Sequence, residues 1–264
     1  GSEHDEPTSV AVVGGYVLVV VDTSVSFTEP SGRLDVVDLA TRERVRSLDL
    51  GGQPDSIAVT PDGSHAVVAI ENQRDEEATP EGGAGGGDEG DLPQLPGGFL
   101  QILDLPGDDP AAWSTRAVSF LDEAGAPLPV VAAAGLDTPQ DPEPEYVAVN
   151  PAGTKVAVTL QENNGVAVVD IATGEVENVF SAGAVAVSGI DVKKDGVIDQ
   201  TGSIPATPRE PDAIGCLLQD GPHRLTPRRA RSCGTRARSS SASPSASACT
   251  PRTAPRRRAS SPRG

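Results

Sequence analysis

The chain has 264 residues and a formal net charge of −17, and that charge is unevenly spread. From Gly221 to Gly264 there are eleven Arg and no Asp or Glu, so the part before them carries −28. A body so acidic disfavours nucleic acid and anionic membranes and favours cations or basic partners. All three Cys (Cys216, Cys233, Cys249) lie in or beside the basic end, which removes disulfides, thiolate nucleophiles and Cys-based zinc sites from the body.

The predicted elements follow a repeat. "EPTSVAV" (6–12), "QPDSIAV" (53–59), "EPEYVAV" (143–149) and "EPDAIG" (210–215) share one frame, at spacings of 47, 90 and 67 residues. The first spacing is a typical propeller-blade length, and the longer ones contain insertions. The first blade is expected over 7–50, closing with "LDVVDLATRE" and "RVRSLDL". The second is expected over 54–121. Its "IAVTPDGSHAVVAIEN" reads as strand, tight turn, strand, followed by a Gly- and acid-rich insertion at 75–98. After an irregular stretch near 122–142 comes the third, over 144–181, with "VAVNPAGTKVAVTLQEN" and "VAVVDIATGE". A fourth opens at Pro211.

Four strands per repeat in up-and-down order make a propeller blade; a β-sandwich is the competing arrangement of such strands. The fold class is therefore all-β, an incomplete β-propeller of about three four-stranded blades plus the start of a fourth, over residues 1–215. Three blades cannot close a ring, so an open edge and exposed apolar blade surface are expected. Residues 216–264 form an Arg/Ser/Pro-rich stretch expected to be disordered. A change of reading frame after Gly215 is the favoured explanation, with a genuine basic arm the alternative. No apolar run is long enough to cross a bilayer as a helix. The chain lacks Met and a basic-then-apolar leader, so its natural start is expected to lie elsewhere.

Up-and-down connectivity gathers the ends of the first strands and the loops after the second strands on one face. Asp55, Glu71, Glu145, Glu162 and Asp212 converge there in this reading. Carboxylates in company with Asn amides are what a hard cation such as Ca²⁺ requires. Without a cation, crowding raises their pKa values; solvated loop acids are the bland alternative. "DVKKDGVID" (191–199) has EF-hand-like acids, but Lys193 occupies a ligand position and Gly202 the place of the closing Glu, so a surface turn is expected. No catalytic residue is named, because no Ser, His or Cys sits in a nucleophile–base motif.

"PDSIAVTPDG", "PEPEYVAVNPAGTKVAVTLQENNGVAVVDIATGEV" and "DGVIDQTGSIPATPREPDAIG" resemble the secreted bacterial β-propellers called choice-of-anchor I or esterase-like-activity-of-phytase proteins, often labelled alkaline phosphatases. The resemblance runs from about Pro7 to Gly215. It implies an extracellular or cell-surface bacterial protein, Ca²⁺ as cofactor, and a phytase-like phosphoester-hydrolysing role acting on a phosphorylated small molecule. It also marks Asn163 and Asn164 in "QENN", and Arg209 and Glu210 in "REPDA", as substrate-binding candidates. The alternative function is a non-catalytic propeller that binds a cell-surface ligand around a structural cation.

Overall fold

The computed structural model describes residues 5–76, 78–80 and 90–216. Alternating apolar residues, interrupted by Pro- and Gly-bearing turns, make strands along most of this length. The first sheet takes β1 (Glu6–Val13), β2 (Tyr16–Asp22), β3 (Gly32–Asp38) and β4 (Arg44–Asp49) in the order β1-β2-β3-β4. The second begins with β5 (Pro54–Val59) and β6 (His65–Ile70). An insertion with a two-residue parallel pair, β7 (Thr79–Pro80) and β8 (Asp91–Leu92), intervenes. β9 (Phe99–Asp104) and β10 (Ser114–Ser119) then complete the order β10-β9-β6-β5. After the short helix α1 (Pro129–Ala132), the third sheet runs β11 (Pro144–Val149), β12 (Lys155–Leu160), β13 (Gly165–Asp170) and β14 (Val176–Ser181).

All neighbours within these three sheets are antiparallel. Their first strands, β1, β5 and β11, lie side by side. These are three propeller blades with the first strand of each innermost, as the repeat predicts. The core is two apolar layers between blades. Leu18, Val20, Leu34 and Val36 meet Ala66, Val68 and Ile70 in one layer, while Val67, Ala69, Leu100 and Ile102 meet Val147, Val156, Val158 and Leu160 in the other. β6 feeds alternate residues into each layer, so its apolar run is continuous instead of alternating with polar residues. Each fully buried Val, Leu or Ile side chain among them stabilises by about 1.5–3 kcal/mol.

The turns repeat as well. Gly63 and Gly153 supply φ values of 70° and 71° in the Pro-Asp-Gly and Pro-Ala-Gly turns, a region open to glycine at little cost. Asp38 and Asp170 close the two "D-x-A-T" turns by accepting bonds from the backbone of Thr41 and Thr173, at 2.7 and 2.8 Å. The outward faces of the first and third blades stay uncovered among the described residues: Val10 and Val12 are about 60% exposed, and Tyr146 and Phe180 nearly half.

After the third blade the chain departs from the sequence reading. A two-stranded hairpin, β15 (Ala184–Ile190) and β16 (Gly202–Pro208), stands apart from the blades. Residues 191–199 are the loop at its tip. Asp191 and Asp195 there accept bonds from the loop's own backbone, at Lys193, Asp199 and Val197, and the segment is almost wholly exposed. It is a self-capped surface turn. The expected fourth blade forms no strand in 211–216. The segment nevertheless runs beside β11, where a next inner strand belongs, with Cys216 Sγ 3.4 Å from the Ala148 carbonyl. Of the Arg/Ser/Pro-rich stretch, all but Cys216 lies outside the described residues.

Candidate functional site

The shared frame has a structural counterpart that its letters do not show. In each inner strand the ladder to the second strand slips at the frame, between Pro7 and Ser9, Pro54 and Ile57, and Pro144 and Val147. Such bulges re-aim a side chain and release backbone groups from the ladder. Hydroxyls then join one inner strand to the next. Thr8 Oγ1 donates to the Pro54 carbonyl at 2.9 Å, and Ser56 Oγ donates to the Glu145 carbonyl at 2.7 Å. Ser56 Oγ also accepts from the Val147 amide at 3.0 Å. The residues carried on the bulges are Thr8, Asp55 and Glu145.

Asp55 and Glu145 thereby face one another across the inner end, and Asp212 joins them from the segment beside β11. Burial, then the Asp212 charge, raises the Asp55 pKa to about 6. Burial raises Glu145 to about 9, reinforced by the charges of Glu71, Asp212 and Asp55 and a hydrogen bond with Asp212. Gln161, with its amide nitrogen turned toward Glu145, donates to Oε1 at 2.8 Å and also reaches Oε2. Glu71, just past β6, is raised to about 8 by burial and by the charges of Asp55, Glu143, Glu162 and Asp22. Glu162 also acts on Glu143 and Glu210. The five acids singled out in the sequence thus form one electrostatic cluster.

Behind this cluster lies a buried network. Arg74 reaches Glu143 through its backbone amide (2.7 Å to Oε1) and its Nε (3.3 Å from Oε2), and lies 3.5 Å from Asp141 Oδ2. Asp141 and Glu143 are essentially inaccessible to solvent. Burial raises Glu143 to about 8 despite Arg74. Asp141 Oδ1 is buried without a hydrogen-bond partner. Asn163 is fully buried: its Oδ1 accepts from the Glu143 amide at 2.9 Å, and its Nδ2 donates to the carbonyls of Asp137, Thr138 and Asp141. Asn164, at φ 53°, accepts from the amides of Arg209 and Glu210 at 3.1 and 3.3 Å. The Arg209 guanidinium donates to the Ala182 carbonyl at 2.6 Å. Each contact described for the two Asn side chains is to backbone.

The candidate set read from the sequence leaves out Arg74, Asp141, Glu143 and Gln161. Gln161 stands in the "QEN" block just past the Pro144–Leu160 pair, and its side chain reaches Glu145 diagonally across that pair. The donor set is all oxygen and carries several formal negative charges, which is the chemistry of a Ca²⁺ or Mg²⁺ site. Among the described residues no three acidic, His or Cys groups stand close enough to hold a metal as placed. Two clefts, of about 320 and 530 Å³, open at the far ends of the strands around Tyr16 and contain none of these acids.

A family model, the choice-of-anchor I domain, matches residues 1–223. No curated protein sequence matches the chain. Among solved structures, the chain is similar to the β-propeller domain of Cps50 (Swd1) from Myceliophteria thermophila, at 16% identity and TM-score 0.42, covering 67% of this chain and 41% of that one. It is similar to the hydrazine synthase of Kuenenia stuttgartiensis at 14% identity and TM-score 0.43, over 79% of this chain and 52% of that one. A Bacteroides thetaiotaomicron protein of unknown function gives 12% identity and TM-score 0.39, over 67% and 32%. The chain therefore spans about half or less of the length of these structures.

Proposed function

The chain belongs to the choice-of-anchor I domain family, and we propose that it is a surface propeller module whose acidic inner end binds a hard divalent cation, Ca²⁺ first among them. The observation that carries this reading is the mutual charge interaction of Asp55 and Glu145, on the bulges of β5 and β11, with Asp212 from the segment beside β11 and with Glu71. No Lys or Arg appears among the causes that set these pKa values. Like charges held together in partly buried positions destabilise one another unless a proton or cation intervenes. Glu162 is the further ligand candidate. The anchor in the family's description supports a place at a cell surface, where a cation-loaded mouth can take a ligand bearing carboxylate, phosphate or hydroxyl oxygens.

Calorimetric titration of the full chain with CaCl₂ at pH 7.5 tests this reading. Saturable binding that is lost in a double variant, Asp55→Asn with Glu145→Gln, is the expected result. Unchanged binding in that variant, or none in the parent chain, overturns it.

A second reading is phosphoester hydrolysis. It is favoured by the neighbouring pair Asp55, raised to about 6, and Glu145, raised to about 9. One carboxyl that keeps its proton at neutral pH beside one that loses it suits general acid–base work. A bound cation would supply polarisation of a phosphoryl oxygen. Asn164 and Arg209, which tie the 209–216 segment to the third blade, would set where Asp212 stands, and Glu210 follows on the same turn. Release of p-nitrophenol from its phosphate ester, dependent on CaCl₂ and abolished by Glu145→Gln, is the outcome this reading requires.

A further inference from the structure

We infer that Gln161 is a positioning residue, whose amide sets the orientation of the Glu145 carboxylate within the acidic cluster. Its consequence for metal binding rests on the cation reading above, whereas the contact itself does not.

The bulge that carries Glu145 is held at several points. Ser56 Oγ, from the second blade, donates to the Glu145 carbonyl at 2.7 Å and accepts from the Val147 amide at 3.0 Å. Thr159 Oγ1, from β12, accepts at 2.9 Å from the Tyr146 amide, which lies in the slipped part of the ladder. Ser56 and Thr159 are both buried. Their bonds fix the backbone around Glu145 but leave its side chain to turn. Gln161 supplies the missing hold. With its nitrogen toward Glu145, the amide donates to Oε1 at 2.8 Å and also reaches Oε2. The same carboxyl shares a hydrogen bond with Asp212, so it is gripped by its own blade and by the segment beside β11.

The second blade shows what this hold replaces. Pro54 pairs with Ile70 as Pro144 pairs with Leu160, so Ala69 and Glu71 stand in the places of Thr159 and Gln161. Ala69 has no hydroxyl to offer its bulge. Glu71 brings a second negative charge to Asp55 where Gln161 brings a donor to Glu145. Burial and neighbouring charges, with no hydrogen bond among the described residues, act on the carboxyls of Asp55 and Glu71. The two blades therefore divide the work. Glu145 is preset by its own blade, while Asp55 and Glu71 form the pair whose repulsion a cation relieves. An outer partner that orients a ligating carboxylate typically contributes roughly 10–100-fold to metal affinity.

Nitrogen-15 correlation spectra of the full chain in EGTA read the contact directly. The side-chain amide signals of Gln161, assigned by their loss in Gln161→Leu, are expected downfield of the free-amide position and should return to it in Glu145→Ala. Signals at the free-amide position in the parent chain overturn the inference, whether or not Ca²⁺ binds. Calorimetric titration with CaCl₂ at pH 7.5 reads the consequence. Gln161→Leu should weaken binding by about tenfold or more. Gln161→Glu, which gives the third blade the acid that the second carries, should bind at least as tightly as the parent. Unchanged affinity in Gln161→Leu, or an equal loss in both variants as packing alone would give, overturns the inference. A parent chain with the bonded amide but no Ca²⁺ uptake overturns the cation reading and upholds the positioning of Glu145.

Discussion

Replacing Glu71 by Gln separates the electrostatic cost of the acidic cluster from its packing. Glu71 is held at about 8 against an ordinary value of 4.5, chiefly by burial and then by the charges of Asp55, Glu143, Glu162 and Asp22. A carboxyl whose pKa is raised on folding keeps its proton in the native state at a pH where the unfolded chain has lost it. Its proton-linked stability is therefore fully present below about pH 4.5 and is lost as pH rises through about 8. Each pH unit between those values removes up to about 1.4 kcal/mol. The ceiling is on the order of 5 kcal/mol, reduced by local relaxation to about 2–3 kcal/mol. Gln keeps the shape and never ionises. Glu71→Gln should therefore be neutral at pH 5 and stabilising by about 2 kcal/mol at pH 8.5 without added cation. Urea unfolding of parent and variant at the two pH values, in EGTA, measures this. Equal stability differences at pH 5 and pH 8.5 would refute the reasoning, because packing alone carries no pH dependence.

Four other outcomes follow from named contacts. Ser56→Ala removes the hydroxyl joining β5 to β11 and should cost about 1–3 kcal/mol in urea unfolding; calorimetry should show weaker Ca²⁺ binding although no proposed ligand is lost. Asn163→Ala strips four backbone groups of their partner and should cost about 3 kcal/mol or more, with new proteolytic cleavage in 137–143. Asp35, nearly buried among Arg33, Arg44 and Ser47, has a lowered pKa despite its burial. Its contribution is present above the ordinary Asp range and fades as pH falls through the lowered value, so Asp35→Asn should destabilise at pH 7 and lose much of its effect in acid. A Cβ at Gly98 would stand 2.4 Å from the carbonyls of Ile70 and Glu71 and 2.5 Å from Pro144 Cδ; Gly98→Ala should cost about 1–3 kcal/mol, read as a lower unfolding midpoint.

What the sequence made legible was whatever repeats. The period-2 alternation and the Pro-x-Gly turns gave the three blades nearly to the residue, because local pattern and blade packing demand the same thing. Connectivity alone led to the expectation that Asp55, Glu71, Glu145, Glu162 and Asp212 share one face. What stayed hidden depends on pairings between distant segments. Arg74 and Asp141 meet across a separation of 67 residues, in two insertions with no periodicity to read. Asn163, in a block that invites a ligand-binding reading, fastens one of those insertions. The hairpin at 184–208 was missed for another reason. Its strands have seven residues each, most of them Ala, Ser, Pro or Gly, and are largely exposed on both faces, so no apolar period announces them.

The acids sort by environment, and the sorting is the strongest argument for where function lies. Asp35, Asp38, Asp62 and Asp170 all have lowered pKa values, and each accepts bonds from hydroxyls, backbone amides or basic side chains that hold a turn or a sheet together. Asp55, Glu71, Asp141, Glu143, Glu145 and Glu210 all have raised values, with burial the first cause in every case. The raised set clusters about the inner ends of the second and third blades and the loops behind them. A fold that stabilises its carboxylates elsewhere and crowds them here accepts local instability at one place, and such violations concentrate at functional sites. The bulges make that placement systematic. They recur in all three inner strands, cost ladder bonds each time, and aim the frame residue at the same end. Thr8 holds that position in the first blade and uses it to bind a carbonyl, so the geometry is a property of the repeat, while the charge belongs to the blades that carry Asp55 and Glu145.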